Sequence, residues 1–205
     1  MNAFYFIIGS CLLLGIVEVV KRKFSLSANI TRKISHIGAT IIAALSPLFI
    51  DKTIIVVTCL MFSLVLLFCR KMSFLSSIYG VNRDSLGDVF LPLGEALAAI
   101  IFLPDHLTAF QYGVLVMGIC DALASLVGEP YGWHKVSFLG IKKSLEGSIV
   151  FFLSALLLAI FLFPILGFQI IIVAAILTLA EFFGYYGSDN LILPILGGFL
   201  FIWLV

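Results

Sequence analysis

Eight runs of apolar residues follow one another along the chain with short polar breaks, at about 3–20, 34–50, 53–69, 86–103, 109–128, 147–163, 169–186 and 189–205. A helix needs about 20 apolar residues to cross the ~30 Å hydrocarbon layer of a bilayer, so such runs, repeated through the whole sequence, predict membrane spans. Inside hydrocarbon each backbone amide must find its partner within its own segment, which makes the expected elements α-helices. The expected fold is therefore all-α: a polytopic membrane helical bundle of seven or eight transmembrane segments with short loops, one integral membrane domain over 1–205. The second run is short, and the eighth holds Pro194 and the pair Gly197–Gly198, so either is a candidate half-span or kinked helix.

Composition agrees. Hydrophobic residues make up 62% of the chain, against about 45–50% in soluble domains, so no soluble domain is expected beside the spans. A net charge of +1 lacks the basic surplus of a nucleic-acid-binding protein. The cysteines Cys11, Cys59, Cys69 and Cys120 lie in or at the ends of apolar runs without C-x-x-C spacing and read as small hydrophobes. The first run has no basic leader and reads as a retained span.

Eleven of the twelve lysines and arginines fall in alternate breaks, 21–33, 70–85 and 129–146; Lys52 alone lies on the other side. Short loops rich in Lys and Arg stay cytoplasmic, so these three are assigned to the cytoplasm and the chain start to the far side. They also hold nearly all the polar chemistry, which makes the expected protein one-sided.

Ionisable groups in a span are costly and normally face a partner or a cavity. Glu18, Asp88, Glu95, Asp121 and Glu181 lie within the runs or at their edges. Asp88 and Glu95 are seven apart, hence on one helical face; Asp121 shares a face with Ser125 and Gly128. Pairing with a nearby Lys or Arg would account for any one of them, but less readily for all. In "RKISHIG" (32–38), Arg32, Lys33 and His36 are three or four apart, so a helix start there would present cations and an imidazole to phosphate oxygens. Plain anchoring at the interface explains Arg32 and Lys33 equally well, but not His36.

In "SLGDVFLPLG" (85–94), Ser85 is a candidate N-cap and Asp88 falls in a first helical turn, where capping and dipole compensation also account for it. In "CDALASLVGEPYG" (120–132), small residues flank Asp121; they allow close helix packing or leave room for a nucleotide or a metal ion.

"KKSLEGS" (142–148) gathers Lys142, Lys143, Ser144, Gly147 and Ser148 at a helix start, where free amides and the helix dipole favour an anion. Glu146 in the same place calls for a lysine partner or a divalent cation. A phosphate chain bridged by Mg2+ reconciles them; an ordinary basic capping loop is the alternative. The stretch is not the G-x-x-x-x-G-K-[ST] phosphate loop, which excludes the familiar soluble NTPase fold.

In this order the five stretches "RKISHIG", "SLGDVFLPLG", "CDALASLVGEPYG", "KKSLEGS" and "EFFGYYGSDNLILPILG" (181–197) resemble the successive blocks of the dolichol kinase, phytol kinase and CTP-dependent diacylglycerol kinase family. The resemblance spans 32–197. It implies a multi-pass membrane enzyme that moves the γ-phosphate of CTP to a lipid alcohol, with a divalent cation and a site facing the cytoplasm. It maps the family's Gly-Asp aspartate onto Asp121, its K-S-x-E-G-S block onto Lys143, Ser144, Glu146, Gly147 and Ser148, and its D-N pair onto Asp189 and Asn190. Cys120 stands where the family commonly has glycine, and Glu129–Pro130 where a basic residue is common.

On this reading Arg32, Lys33, Lys142, Lys143, Ser144, Gly147 and Ser148 bind the nucleotide, and Asp121, Glu146 and Asp189 are metal ligands. Asp121, Lys143 and Glu146 also take part in catalysis, Asp88 and His36 are candidate bases, and Glu95, Glu181 and Asn190 support the site. Phosphatidate cytidylyltransferases share an aspartate helix and a K-x-x-E-G block, but their C-terminal signature is absent. A small lipid transporter is the rival from another class; neither a sequence repeat nor a polar midplane supports it.

Overall fold

The computed structural model describes residues 2–72, 85–138, 141–162 and 167–204. They form eight helices and one small hairpin: α1 (Asn2–Phe24), α2 (Ala28–Leu45), α3 (Lys52–Met72), α4 (Gly87–Phe102), α5 (Leu107–Tyr131), the strands β1 (Lys135–Phe138) and β2 (Ile141–Ser144), α6 (Leu145–Leu162), α7 (Gln169–Phe182) and α8 (Asp189–Leu204). The all-helical expectation holds, and the eight apolar runs correspond one to one to the eight helices. Three of the helices, Lys52–Arg70 of α3, α5 and α6, are long and apolar enough to cross a membrane; α7 and α8 are shorter apolar helices.

α5 is the central pillar, with 61% of its apolar window buried against 28% for α3 and 22% for α6. It packs on α2, α6 and α8, while α8 also packs on α4 and α7, α3 on α4, and α1 on α2. Phe102, Phe110, Tyr112, Met117, Phe151, Leu177 and Leu193 fill the core. The outward faces of α3 and α6 are equally apolar, with Leu64, Phe68, Leu157 and Phe161 exposed. A soluble protein rarely exposes such continuous apolar surface, whereas a lipid-facing helix must.

Small residues let the central helices approach closely. A Cβ at Gly94 would strike the Asn190 carbonyl of α8, and one at Gly113 the Pro194 carbonyl. Pro194 has no N–H, so the Asn190 carbonyl has no helical donor four residues on; the missing side chain of Gly94 gives that carbonyl room. Pro194 and the Gly197–Gly198 pair are thus accommodated within α8, which stays helical from Asp189 to Leu204.

Two local departures matter for the site. α2 starts at Ala28, six residues before the predicted run, because Ser27 caps it: its Oγ accepts the Ile30 N–H at 3.4 Å. "RKISHIG" therefore lies inside a helix and not at its start. The loop 129–146 holds an antiparallel hairpin that pairs Lys135 with Ser144 and Val136 with Lys143.

Candidate active site

The hairpin delivers Lys143 to one end of the bundle, between the last turn of α7 and the first turn of α8. Its ammonium pairs with the Glu181 carboxylate and lies 3.4 Å from Asp189 Oδ2. Burial alone would push the Lys143 pKa down, but the carboxylates of Glu181, Asp189 and Asp121 outweigh it and hold the ammonium above the usual lysine range. Facing this group, Lys33 Nζ of α2 donates to Asp121 Oδ2 of α5 at 3.2 Å, with both side chains about nine-tenths buried. Two lysines and three carboxylates from five elements thus share one polar pocket.

The rest of "KKSLEGS" holds Lys143 in place. Ser144 caps α6, its Oγ accepting the Gly147 N–H at 3.1 Å and donating to the Gly128 carbonyl at 3.2 Å. Side chains at Gly128 and Gly147 would crowd this hydroxyl, which explains the small residues on both sides of it. Glu146 turns to the base of the hairpin, accepting the His134 backbone N–H at 3.1 Å and lying 2.7 Å from His134 Nδ1. Ser148 Oγ is buried without a partner among the described residues. The Lys142 side chain lies outside the described residues.

α2 and α5 meet along a polar seam that runs inward from the pocket. Below Lys33–Asp121, the His36 imidazole faces the Met117 carbonyl, and Thr40 packs on Gly118. Both contacts fall on a π-helical stretch of α5, Val116–Cys120. The wider turn there offsets the register by one residue and leads directly into Asp121. His36 Nε2 and Thr40 Oγ1 are buried and unpaired among the described residues. Outward from Asp121, Glu129 accepts from Ser125 Oγ at 2.6 Å and from Asn29 Nδ2, while Arg32 Nη2 donates to Asn29 Oδ1 at 3.1 Å.

The N-termini of α4 and α8 are tied together beside the pocket. Asn190 Nδ2 donates to the Gly87 carbonyl at 2.6 Å, and the Leu86 N–H donates to Tyr186 O at 3.0 Å. Gly187 has φ +91°, and a Cβ there would strike Gly87, so this turn requires glycine. Asp88 pairs with Arg70 Nη1 at 3.3 Å and keeps Oδ2 buried and unpaired among the described residues. Ser85 is not the N-cap expected of it: that position is Leu86, and Ser85, one residue earlier, accepts the Gly87 N–H through its Oγ at 3.2 Å. Glu95 is farther inside, 3.8 Å from Cys59 Sγ.

Of the expected site residues, the structure brings Lys33, Asp121, Lys143, Glu181 and Asp189 together, with His36 and Asn190 at the margins. It leaves Ser144, Gly147 and Glu146 in supporting contacts and Glu95 in a separate seam. The sequence reading missed the parts of His134, Asn29 and Glu129. The β-branched Val136 and Ile141 around a glycine signalled the hairpin that positions His134.

These features define a class: a helical membrane protein with lysines and carboxylates gathered at one end of the bundle. Phytol kinase of Synechocystis is 32% identical over 195 residues, covering 91% of this chain and 83% of that protein. An uncharacterized protein of Methanocaldococcus jannaschii is 28% identical over 84% of this chain and 92% of its own length, and one of Rickettsia prowazekii is 39% identical over 53% of each. The chain belongs to the polyprenol and phytol kinase family. No protein-family model and no solved structure matches it.

Proposed function

We propose that the protein is a CTP-dependent lipid kinase, moving the γ-phosphate of CTP to the hydroxyl of a membrane alcohol of polyprenol, phytol or diacylglycerol type. The observation that carries this reading is Lys143 set among Glu181, Asp189 and Asp121, with Lys33 opposite. Two ammonium groups can contact the oxygens of a polyphosphate, and phosphoryl transfer is catalysed mainly by positioning and charge neutralisation. The alcohol oxygen bonds to the γ-phosphorus, the bond to the β,γ-bridging oxygen breaks, and CDP leaves. The hydroxyl proton passes to a nearby acceptor: Asp88 and His36 each keep an unpaired buried atom for it.

The pocket fits Mg2+. Its donors are oxygens, and Glu181 Oε2 and Asn190 Oδ1 are buried and unpaired among the described residues. No three metal-ligating side chains converge among those residues. Mg2+ takes one or two carboxylates and completes its shell with water and phosphate. Asp121 and Asp189 would hold it, while Glu146 stays on His134. Bound there, it would offset phosphate charge that the carboxylates otherwise repel.

The loop charges support seven or eight crossings with this end in the cytoplasm, so the nucleotide stays in water while the alcohol rises between helices. The test compares γ-labelled and α-labelled CTP with purified protein, Mg2+, a panel of lipid alcohols and phosphatidate. Label from the γ-position is expected in one of the alcohols. Label from the α-position in phosphatidate would overturn the reading in favour of a cytidylyltransferase.

A further inference from the structure

Ser10, Ser46, Ser154 and Thr178 each satisfy their hydroxyl on a carbonyl three or four residues back in the chain. Thr40 of α2 does not. Fully buried, it turns Oγ1 toward Gly118 of α5 and leaves it unpaired among the described residues. One turn away on the same face of α2, His36 Nε2 is a second such atom. Leaving a buried polar atom without a partner is costly, and two of them one turn apart call for a common partner. We infer that this partner is the hydroxyl of the acceptor alcohol: the inner end of the α2–α5 seam is the acceptor subsite, where Thr40 holds the alcohol oxygen and His36, rather than Asp88, takes its proton. The inference rests on the kinase reading above.

The two atoms are matched to one hydroxyl. The Met117 carbonyl accepts from one ring nitrogen of His36, and since Nε2 is the bare one, the donor is Nδ1–H. That bond fixes the neutral tautomer with a lone pair on Nε2, which can then only accept, whereas Thr40 Oγ1 can donate. An alcohol offers an O–H to the first and an oxygen to the second; an ether lacks the O–H. Position fits the transfer as well. His36 lies three residues inward of Lys33, about 4.5 Å along the helix axis, which brings a hydroxyl on Nε2 toward a γ-phosphate held by Lys33. The His36 residue is only partly buried, so a hydroxyl on a hydrocarbon chain has a way in from outside the core. Met117, which orients the ring, and Gly118, which makes room for Thr40, belong to the same π-helical stretch, a local widening that recurs at functional sites. Asp88 instead lies in the other polar seam, paired with Arg70 at its mouth. As the alcohol oxygen bonds to the γ-phosphorus, its proton passes to Nε2. The imidazolium keeps Nδ1–H on the Met117 carbonyl, has Asp121 within electrostatic reach, and gives the proton to water after CDP leaves.

The experiment follows γ-phosphate transfer from labelled CTP by the purified full chain in detergent with Mg2+, and the change in melting temperature caused by a short prenol and by its methyl ether. Wild type, Thr40→Val, Thr40→Ser, His36→Gln and Asp88→Asn are compared. The prenol is expected to raise the wild-type melting temperature and the ether to leave it unchanged, because a site built to hydrogen-bond a hydroxyl rejects an analogue lacking it. Thr40→Val is expected to raise KM for the alcohol about fivefold with KM for CTP unchanged, and Thr40→Ser to restore the wild-type value. His36→Gln is expected to lower kcat about 10²–10⁴-fold with the alcohol still bound. If Thr40→Val and His36→Gln lower the melting temperature of the free protein but leave KM and kcat alone, the seam holds a buried water and the inference is overturned. A loss of kcat in Asp88→Asn with none in His36→Gln would overturn it equally. If the wild type moves no label, yet the prenol stabilises it and not Thr40→Val, the kinase reading falls and the hydroxyl subsite stands. If no label moves and the prenol stabilises neither, both fall.

Discussion

Two seams between neighbouring helices carry polar groups into this bundle, and they are built differently. In the α2–α5 seam, Asp121 meets the Lys33 ammonium at 3.2 Å, and the pair faces Lys143. In the α3–α4 seam the charged pair, Arg70 with Asp88, lies at the mouth, with side chains 28% and 11% exposed. Deeper in that seam, Ser63 Oγ bonds the Val89 carbonyl at 3.0 Å and Glu95 has, among the described residues, only the thiol of Cys59. The first seam brings opposite charges together at a junction of five elements. The second joins two helices and, among the described residues, has no cation at depth. A buried carboxylate with charged partners on two sides is arranged for work on a charged ligand; one facing a weak sulfur donor is arranged for packing.

The largest break in this comparison is Asp121→Ala. It leaves Lys33 buried without its counter-ion, and breaking a buried pair in this way costs about 3–5 kcal/mol. γ-Phosphate transfer is expected to fall by about 10²–10³-fold. Asp121→Asn keeps the shape and separates the two effects: the melting temperature recovers in part while transfer stays lost. Wild-type turnover in either variant would remove Asp121 from the reaction.

Lys143→Met ranks next, since it leaves Glu181, Asp189 and Asp121 to repel one another and the phosphates. A fall of about 10²-fold in transfer is expected, with weaker nucleotide binding read by competition. The pH dependence has a definite sign. The Lys143 pKa is raised in the fold, so the stability it contributes is full below the ordinary lysine value of about 10.4 and is lost only as pH rises beyond it. Melting of the wild type relative to Lys143→Met is therefore expected to keep a constant difference from pH 6 to 9. A difference that shrinks within that window would show that Lys143 loses its proton there.

Smaller again is Glu146→Gln. Glu146 holds the hairpin through the His134 N–H, and glutamine can keep that bond. A fall in transfer of about threefold is expected; a loss as deep as that of Asp121→Ala would return Glu146 to the reacting centre.

The helices were legible because apolar runs and polar breaks are a one-dimensional signal, and lipid leaves helices as their only outcome. Asp121 and Glu181 were legible as chemistry out of place in such runs, Lys143 as part of a charged cluster between two of them, and Asp189 only through the family resemblance. Which group faces which was not, because pairing depends on helix rotation and register: Lys33 and Asp121 are 88 positions apart. Glu146 looked like a ligand because it neighbours Lys143, yet a hairpin turn sends it to His134. The early start of α2 was hidden because Ser27, a strong cap, lies in a stretch polar enough to read as loop. The π-helical turn before Asp121 has no sequence signature at all.

The finest test of the contrast between the seams is Glu95→Gln. The amide matches the carboxyl in size and keeps an oxygen for Cys59 Sγ, so a packing role survives the exchange, whereas a role that needs a carboxylate does not. Transfer within about twofold of wild type and a melting temperature within a few degrees are expected, since buried polar groups tolerate isosteric replacement when their partners remain satisfied. Cys59→Ala on the same background removes the partner, and if the pair only packs, its effect falls on melting alone. A tenfold loss of transfer in Glu95→Gln, with melting unchanged, would instead extend the reacting region from Asp88 down the shared face of α4 and erase the distinction between the seams.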